Sequence, residues 1–189
     1  MNKNDILTKL ASFLDKKRYD HSLGVMESAV VLAKKYDGDE YKAATAGLLH
    51  DCAKSLPPDQ ILKLCGKYNI ILDEITLKQI GLVHGPLGAK IAEECFNITD
   101  SEILNAIKCH TTGKKGMTLL DKIIYLADYI EKGRNFPGVD KLREIADYDL
   151  NKAVLAALDN TIIYVISSGY LLHPMTLEAR NDILSLVNK

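Results

Sequence analysis

Apolar residues recur three and four positions apart along almost the whole chain, and that period suits helices and little else. Ile6, Leu10, Phe13 and Leu14 begin the pattern, and Val25, Ala29 and Leu32 continue it. Ile61, Leu62 and Leu64 come next, then Ile103, Leu104 and Ile107, then Ile123, Leu126, Ala127 and Ile130. The stretch from Ala153 to Ser167 carries the pattern on. Helix starts are expected at Pro57-Pro58, Asp100, Thr118 and Thr176, residue types that satisfy or tolerate the free N–H groups of a first turn. Breaks are expected at Gly38, at Gly113-Lys114-Lys115-Gly116 and at Asn135-Phe136-Pro137-Gly138. Only Asn69 to Leu72 leans toward a strand, and it is too short to build a sheet. The expected fold is a single all-α domain spanning residues 1–189, a bundle of about eight to ten short helices.

Net charge is −1, so nothing in the bulk electrostatics suggests a nucleic-acid binder or a polybasic membrane surface. The basic residues are scattered, and tryptophan is absent. A nucleic-acid partner is therefore not expected. MNKNDILTKL is polar and has no signal-peptide core. No apolar run reaches the ~18 residues of a membrane span. Cys52, Cys65, Cys95 and Cys109 form no CxxC pair and read as reduced core thiols of a cytoplasmic protein.

Within this ordinary composition, AGLLHDCAKS (residues 46–55) sets a histidine beside an aspartate in an apolar run. Burying polar groups without partners costs roughly 1–3 kcal/mol each. His50 and Asp51 therefore need a partner. Adjacent helical residues point about 100° apart, so the two do not face each other, but they can converge on one object between them. A metal ion takes imidazole nitrogen and carboxylate oxygen together. Further candidates lie in similar surroundings: His21 in RYDHSLGV, His84 ahead of a helix that Pro86 is placed to start, His110 ending the Asp100–Cys109 helix, and Asp128 in LLDKIIYLADYIEKG. Each has an ordinary reading alone, as a hydrogen-bonded core residue. Together they form an ordered set.

That order, His21, His50-Asp51, His84, His110, Asp128, resembles the HD superfamily of metal-dependent phosphohydrolases, in the subset that holds two metals. The likeness extends through RYDHSLGV, LLHDCAK, VHGPLGA, ADYIEKGR and HPMTLEARN, and is to the YqeK-type bacterial enzymes, symmetrical diadenosine tetraphosphatases. The resemblance implies that His21, His50, Asp51 and Asp128 hold an iron ion. His84 and His110 would hold a second iron or contact nucleotide phosphates. The all nitrogen and oxygen set also suits manganese, cobalt, nickel or zinc. Arg18, one turn before His21, Lys54, four residues after His50, and Arg134 would meet phosphate. Tyr170, Leu171, Leu172, His173, Pro174 and Met175 would lie along the nucleotide. Free N–H groups at the start of the His84 helix would also suit phosphate. Where the family has proline, this chain has Lys132, a change expected to alter loop stiffness near Arg134.

The activity implied is hydrolysis of diadenosine tetraphosphate to two ADP by a metal-activated water, with His50, Asp51 and Lys54 as the catalytic group. A homodimer is compatible with the sequence. Two alternatives stand beside this reading. One is an HD phosphohydrolase of deoxynucleotides, cyclic nucleotides or (p)ppGpp. The other is a non-catalytic di-iron protein, against which the absence of any Glu-x-x-His spacing counts.

Overall fold

In the computed structural model, which describes residues 3–188, the elements are helical and no strand occurs among the described residues. The order is α1 (Lys3–Leu10), α2 (Lys16–Lys35), α3 (Glu40–Leu49), α4 (Pro58–Lys67), α5 (Glu74–Lys78), a 3-10 turn (Ile80–Val83), α6 (His84–Phe96), α7 (Ser101–Cys109), α8 (Leu119–Ile130), α9 (Val139–Tyr148), α10 (Leu150–Ser167) and α11 (Pro174–Val187). Met1, Asn2 and Lys189 lie outside the described residues.

Start signals in the sequence act as expected at three places. Pro58 opens α4. The Asp100 side chain caps α7 at the N–H groups of Glu102 and Ile103. Thr118 and Asp121 form a reciprocal capping box on α8. Two boundaries differ. The last helix starts at Pro174, with the His173 ring accepting from the Met175 N–H, so Thr176 lies inside the first turn and is buried. Helix α6 begins at His84 and not at Pro86, which falls at its third position. There its missing N–H is one that a first turn leaves unpaired anyway. The residue before α6, Val83, is itself right-handed helical, so the 3-10 turn runs straight into the helix. The open N-terminus expected there as a phosphate cradle is replaced by continuous turn. Asn69 to Leu72 serves helix termination instead of strand pairing. Asn69 takes φ 52°, while its N–H donates to the Gly66 carbonyl and that of Ile70 to the Cys65 carbonyl. This is the left-handed ending of a helix.

The central element is α3, packed against α2, α7 and α8. Its buried face is small (Ala43, Ala46, Gly47), which lets α2 approach closely. A Cβ on Gly47 would lie 3.0 Å from the Met26 Cα. Helices α6 and α7 meet in the same way, since a Cβ on Gly85 would lie 2.6 Å from the Lys108 carbonyl oxygen. One apolar cluster runs from Ile6 to Ile183 and ties the first helix to the last. Arg180 and Asp159 join α11 to α10 at 2.8 Å.

This packing gives two glycines opposite signs. Gly85→Ala drives a methyl group into backbone and should destabilise by about 1–3 kcal/mol. Gly66→Ala in α4 meets nothing within 4 Å and should stabilise by roughly 0.5–1 kcal/mol through helix propensity. Urea unfolding monitored by circular dichroism measures both.

Candidate metal centre

Four histidines and two aspartates from five elements converge where α2, α3, α7 and α8 pack together. His21 comes from α2, Asp128 from α8, and His84 from the first turn of α6. His50 and His110 are the C-caps of α3 and α7. The helix carrying His50 thus ends one residue earlier than the run AGLLHDCAKS suggests, and Asp51 follows in the turn. His50, Asp51, His84 and His110 are buried, and His21 and Asp128 are nearly so.

Three of the rings are oriented by one local device. The Nδ1 atoms of His50, His84 and His110 each meet the carbonyl oxygen three residues back, of Gly47, Gly81 and Ile107 respectively. The Nδ1 of His21 instead meets the Glu131 Oε1 at 3.1 Å. With Nδ1–H donating in each case, all four rings present the Nε2 lone pair to the centre.

The Asp51 carboxylate lies between the rings. Its Oδ2 is 3.5 Å from His50 Nε2 and 3.9 Å from His21 Nε2. Its Oδ1 is 3.2 Å from His84 Nε2 and 3.6 Å from His110 Nε2. Asp128 Oδ1 closes the first side, at 3.0 Å from His21 Nε2 and 3.9 Å from His50 Nε2. Donor atoms around one ion at 2.0–2.2 Å are roughly 3–3.5 Å apart, and most of these separations are close to that.

Two observations test whether a metal fits. The Nε2 atom of His50 is buried and has no hydrogen-bond partner, and that of His21 is buried with only the Asp128 carboxylate beside it at 3.0 Å. His84 Nε2 and His110 Nε2 lie 3.0 Å apart. If both Nδ1 atoms carry the protons, two lone pairs face each other there, which is unfavourable unless a cation or a proton lies between them. The residues fit two adjoining cation sites that share Asp51, with His21, His50 and Asp128 on one side and His84 and His110 on the other. The donor atoms of His21, His50 and Asp51, and those of Asp51, His84 and His110, fall within 4.8 Å of one another. No sulfur enters, since the Cys52 Sγ points to the Gly88 carbonyl.

Burial alone would raise the pKa of both aspartates. The surrounding imidazoles outweigh it, with Arg134 adding its charge at Asp128, and hold both carboxyls well below the usual range. Burial lowers His50 to about 4 and lowers His84 as well, which keeps both neutral as ligands must be. Burial opposes protonation of His21 too, but Asp128 and Glu131 raise it.

The expected phosphate-facing cations ring the centre. Arg18 Nη1 donates to Asp51 Oδ2 at 2.7 Å. Lys54 Nζ stands 3.3 Å from both ring nitrogens of His84. Arg134 donates from Nη2 to the Asp128 carboxylate and from Nε to its carbonyl, at 2.7 Å for the latter. Lys132, in place of proline, points outward to Glu27 and leaves the Arg134 contact in place. In the segment from Tyr170 to Met175, Tyr170, Leu171 and Pro174 are exposed. His173 and Met175 line a cavity of about 670 Å³ beside the centre, and Leu172 is half-buried. The His173 Nε2 meets the Asp73 carboxylate at 3.1 Å.

Two contributors are invisible in sequence spacing. Glu131 is buried and also accepts from the Gly133 N–H, so it is fixed against the His21 ring. Thr111 Oγ1 lies 3.2 Å from both His84 Nε2 and His110 Nε2. Glu131 was present in ADYIEKGR and Thr111 directly follows His110, but neither residue type at such a place signals a partner without the fold.

A helical bundle that gathers histidines and an adjacent His-Asp pair around one buried pocket defines a class, and the chain belongs to the HD domain family, whose match spans residues 18–133 and contains all six centre residues. Within it, the chain is similar over nearly its whole length to bacterial proteins named symmetrical bis(5'-nucleosyl)-tetraphosphatase. It is 40% identical to the one from Halalkalibacterium halodurans, across 97% of this chain and 98% of that protein. It is 36% identical to the Bacillus subtilis one, across 98% and 99%. A Clostridium acetobutylicum crystal structure, described as a predicted HD superfamily hydrolase involved in NAD metabolism, superposes with a TM-score of 0.94 at 49% identity, covering 98% of both chains.

Two measurements check this geometry. Glu131→Gln keeps the side-chain volume but sets an amide against the Gly133 N–H and weakens the hold on His21. Manganese titrated into metal-free protein should bind about tenfold to a hundredfold more weakly in that variant. In metal-free protein His50 titrates near 4 when folded and near its ordinary 6.5 when unfolded. Between those values only the unfolded chain takes up the proton. Stability should therefore fall as pH drops from about 6.5 to 4, an effect that His84 reinforces and His21 partly opposes, and go on falling below 4, where Asp51 and Asp128 take up protons only in the unfolded chain. Thermal melts across that range read it.

Proposed function

We propose that this protein is a symmetrical diadenosine tetraphosphatase, hydrolysing the central anhydride of its substrate to give two ADP. The observation that carries this is the Asp51 carboxylate between two histidine pairs, in a chain whose relatives bear that name from end to end. The site residues are His21, His50, Asp51, His84, His110 and Asp128 for metal, with Arg18, Lys54 and Arg134 for phosphate. The segment from Tyr170 to Met175 serves the nucleotide, through His173 and Met175 above all. We take the metal to be iron, as a pair of ions, on a donor set of nitrogen and oxygen that manganese, cobalt, nickel and zinc also tolerate.

When bound, the metal supplies a Lewis acid and lowers the pKa of water toward neutrality. The rest falls to the chain. His50, His84 and His110, held by the carbonyls three residues back, and His21, held by Glu131, keep Nε2 aimed inward. Arg18, beside Asp51, and Arg134, beside Asp128, offer guanidinium groups at the edge of the centre, where charge develops on the phosphate oxygens. Lys54 adds a third cation over His84. In the reaction the water oxygen bonds to one central phosphorus, the bridging P–O bond breaks, and one ADP leaves. No side-chain nucleophile is needed, and burial raises the Cys109 thiol to about 12, too high to act as one.

The residues from Ile6 to Ile183 share one core, which supports a single HD-type domain working over 1–189. Free thiols at all four cysteines support a cytoplasmic setting. No helix of the described residues is long and apolar enough to cross a membrane.

Chromatography of the products from diadenosine tetraphosphate tests the reading. The metal-loaded protein should yield ADP alone. Asp51→Ala should lose both bound metal and turnover, by several orders of magnitude in rate. ATP plus AMP from the wild type would overturn symmetrical cleavage, and full activity in the variant would overturn the metal assignment.

A further inference from the structure

Two cavities flank the centre, and Thr111 lies in the wall of both. One, of about 670 Å³, is walled by Leu82, Pro86, His173 and Met175 among others, and comes to the centre through Thr111. The second, of about 490 Å³, reaches the centre itself, with His110 and Asp128 in its wall. Its inner end is formed by His110, Asp128 and Arg134, and its outer part by Tyr129, Phe136 and Tyr164. Both volumes are in the range of small-molecule sites, roughly 300–1,000 Å³.

The second cavity has features that the first reading of the site leaves unused. Tyr129 and Phe136 meet edge to face with ring centroids 5.2 Å apart, which fixes an aromatic wall. Tyr164, on α10, is 63% exposed at the mouth. The Thr161 hydroxyl, bonded to the Tyr125 hydroxyl at 3.1 Å, and the Asn160 amide bring polar groups to the same wall. An inner end that opens on the candidate metal ligands and carries the Arg134 guanidinium, followed by flat rings and neutral polar groups, matches a phosphate chain followed by a nucleoside. Aromatic rings stack on any base.

We propose that the aromatic cavity is a second nucleoside subsite, so that the two nucleosides of one dinucleoside tetraphosphate occupy the two cavities and the phosphate chain crosses the centre beneath Thr111. This rests on the reading of the protein as a dinucleoside tetraphosphate hydrolase and adds what seats the scissile bond. A substrate held at both ends places its midpoint over the metal ligands. A substrate held at one end must be measured from that end alone. The two-cavity arrangement therefore accounts for cleavage at the central anhydride.

Adenosine 5'-tetraphosphate has the same phosphate chain and a single nucleoside, and cleavage at its central anhydride gives ADP and pyrophosphate. The experiment compares kcat/KM for diadenosine tetraphosphate and for adenosine 5'-tetraphosphate, in metal-loaded wild type, Tyr164→Ala and Phe136→Ala. Tyr164 is exposed enough that its variant folds. The preference for the dinucleotide should fall by roughly tenfold to a hundredfold in each variant, the loss expected on removing a stacking ring. Equal losses on both substrates would mean that the aromatic cavity holds the only bound nucleoside, and would overturn the proposal. No loss on either would overturn it as well. Failure of the wild type to form ADP from diadenosine tetraphosphate would remove the underlying reading, a result distinct from ADP formed at an unaltered preference.

Discussion

The Asp51 carboxylate, buried among four imidazole rings, is the contact on which the rest of this structure depends. An ionised carboxylate is costly to bury without compensation. Here Arg18 supplies one counter-charge at 2.7 Å, and the Nε2 lone pairs of His21 and His50 near one oxygen and of His84 and His110 near the other call for a cation between ring and carboxylate to supply the rest. Satisfying it requires α2, α3, α6 and α7 to end or cross at one point. The small residues at the helix contacts, Gly47 and Gly85, make those approaches available. Packing and chemistry are therefore one constraint, because the glycines that permit close contact also bring the ligands within reach.

The sequence reveals the helical class through its apolar period, since helix packing needs such a stripe whatever the sidedness of each element. Boundaries were less legible. Pro86 is an ordinary start signal, yet the 3-10 turn before it already supplies a helical path, so the helix begins at His84. Thr176 has the right chemistry for a cap but lies beyond Pro174, whose fixed φ suits the first turn. Asn69 to Leu72 has β-branched character, but the left-handed Asn69 commits it to ending a helix.

The centre was readable because polar residues in apolar helices are unusual enough to be seen one by one and to gain meaning as an ordered set. Glu131 and Thr111 were not. Each is a common residue type beside a recognised one, and its role lies in a distance that only the fold creates. The aromatic cavity was hidden for the same reason. Tyr129, Phe136 and Tyr164 come from α8, the loop after it and α10, with no periodic relation among them. Part of HPMTLEARN proved structural, with Arg180 holding α11 to α10 through Asp159.

Three of the four imidazoles are tethered to carbonyls three residues back, at the ends of α3 and α7 and in the 3-10 turn before α6, so their orientation comes with the local backbone. Ligand geometry is then set by local backbone before any ion arrives. Arg18 and Arg134 meanwhile act as counterions to Asp51 and Asp128. Such preorganisation lets an ion bind without first ordering its surroundings, and an ion held there would in turn stabilise the fold, because it would separate the facing Nε2 lone pairs of His84 and His110. Metal supply would then act on the stability of the fold as well as on the occupancy of the centre.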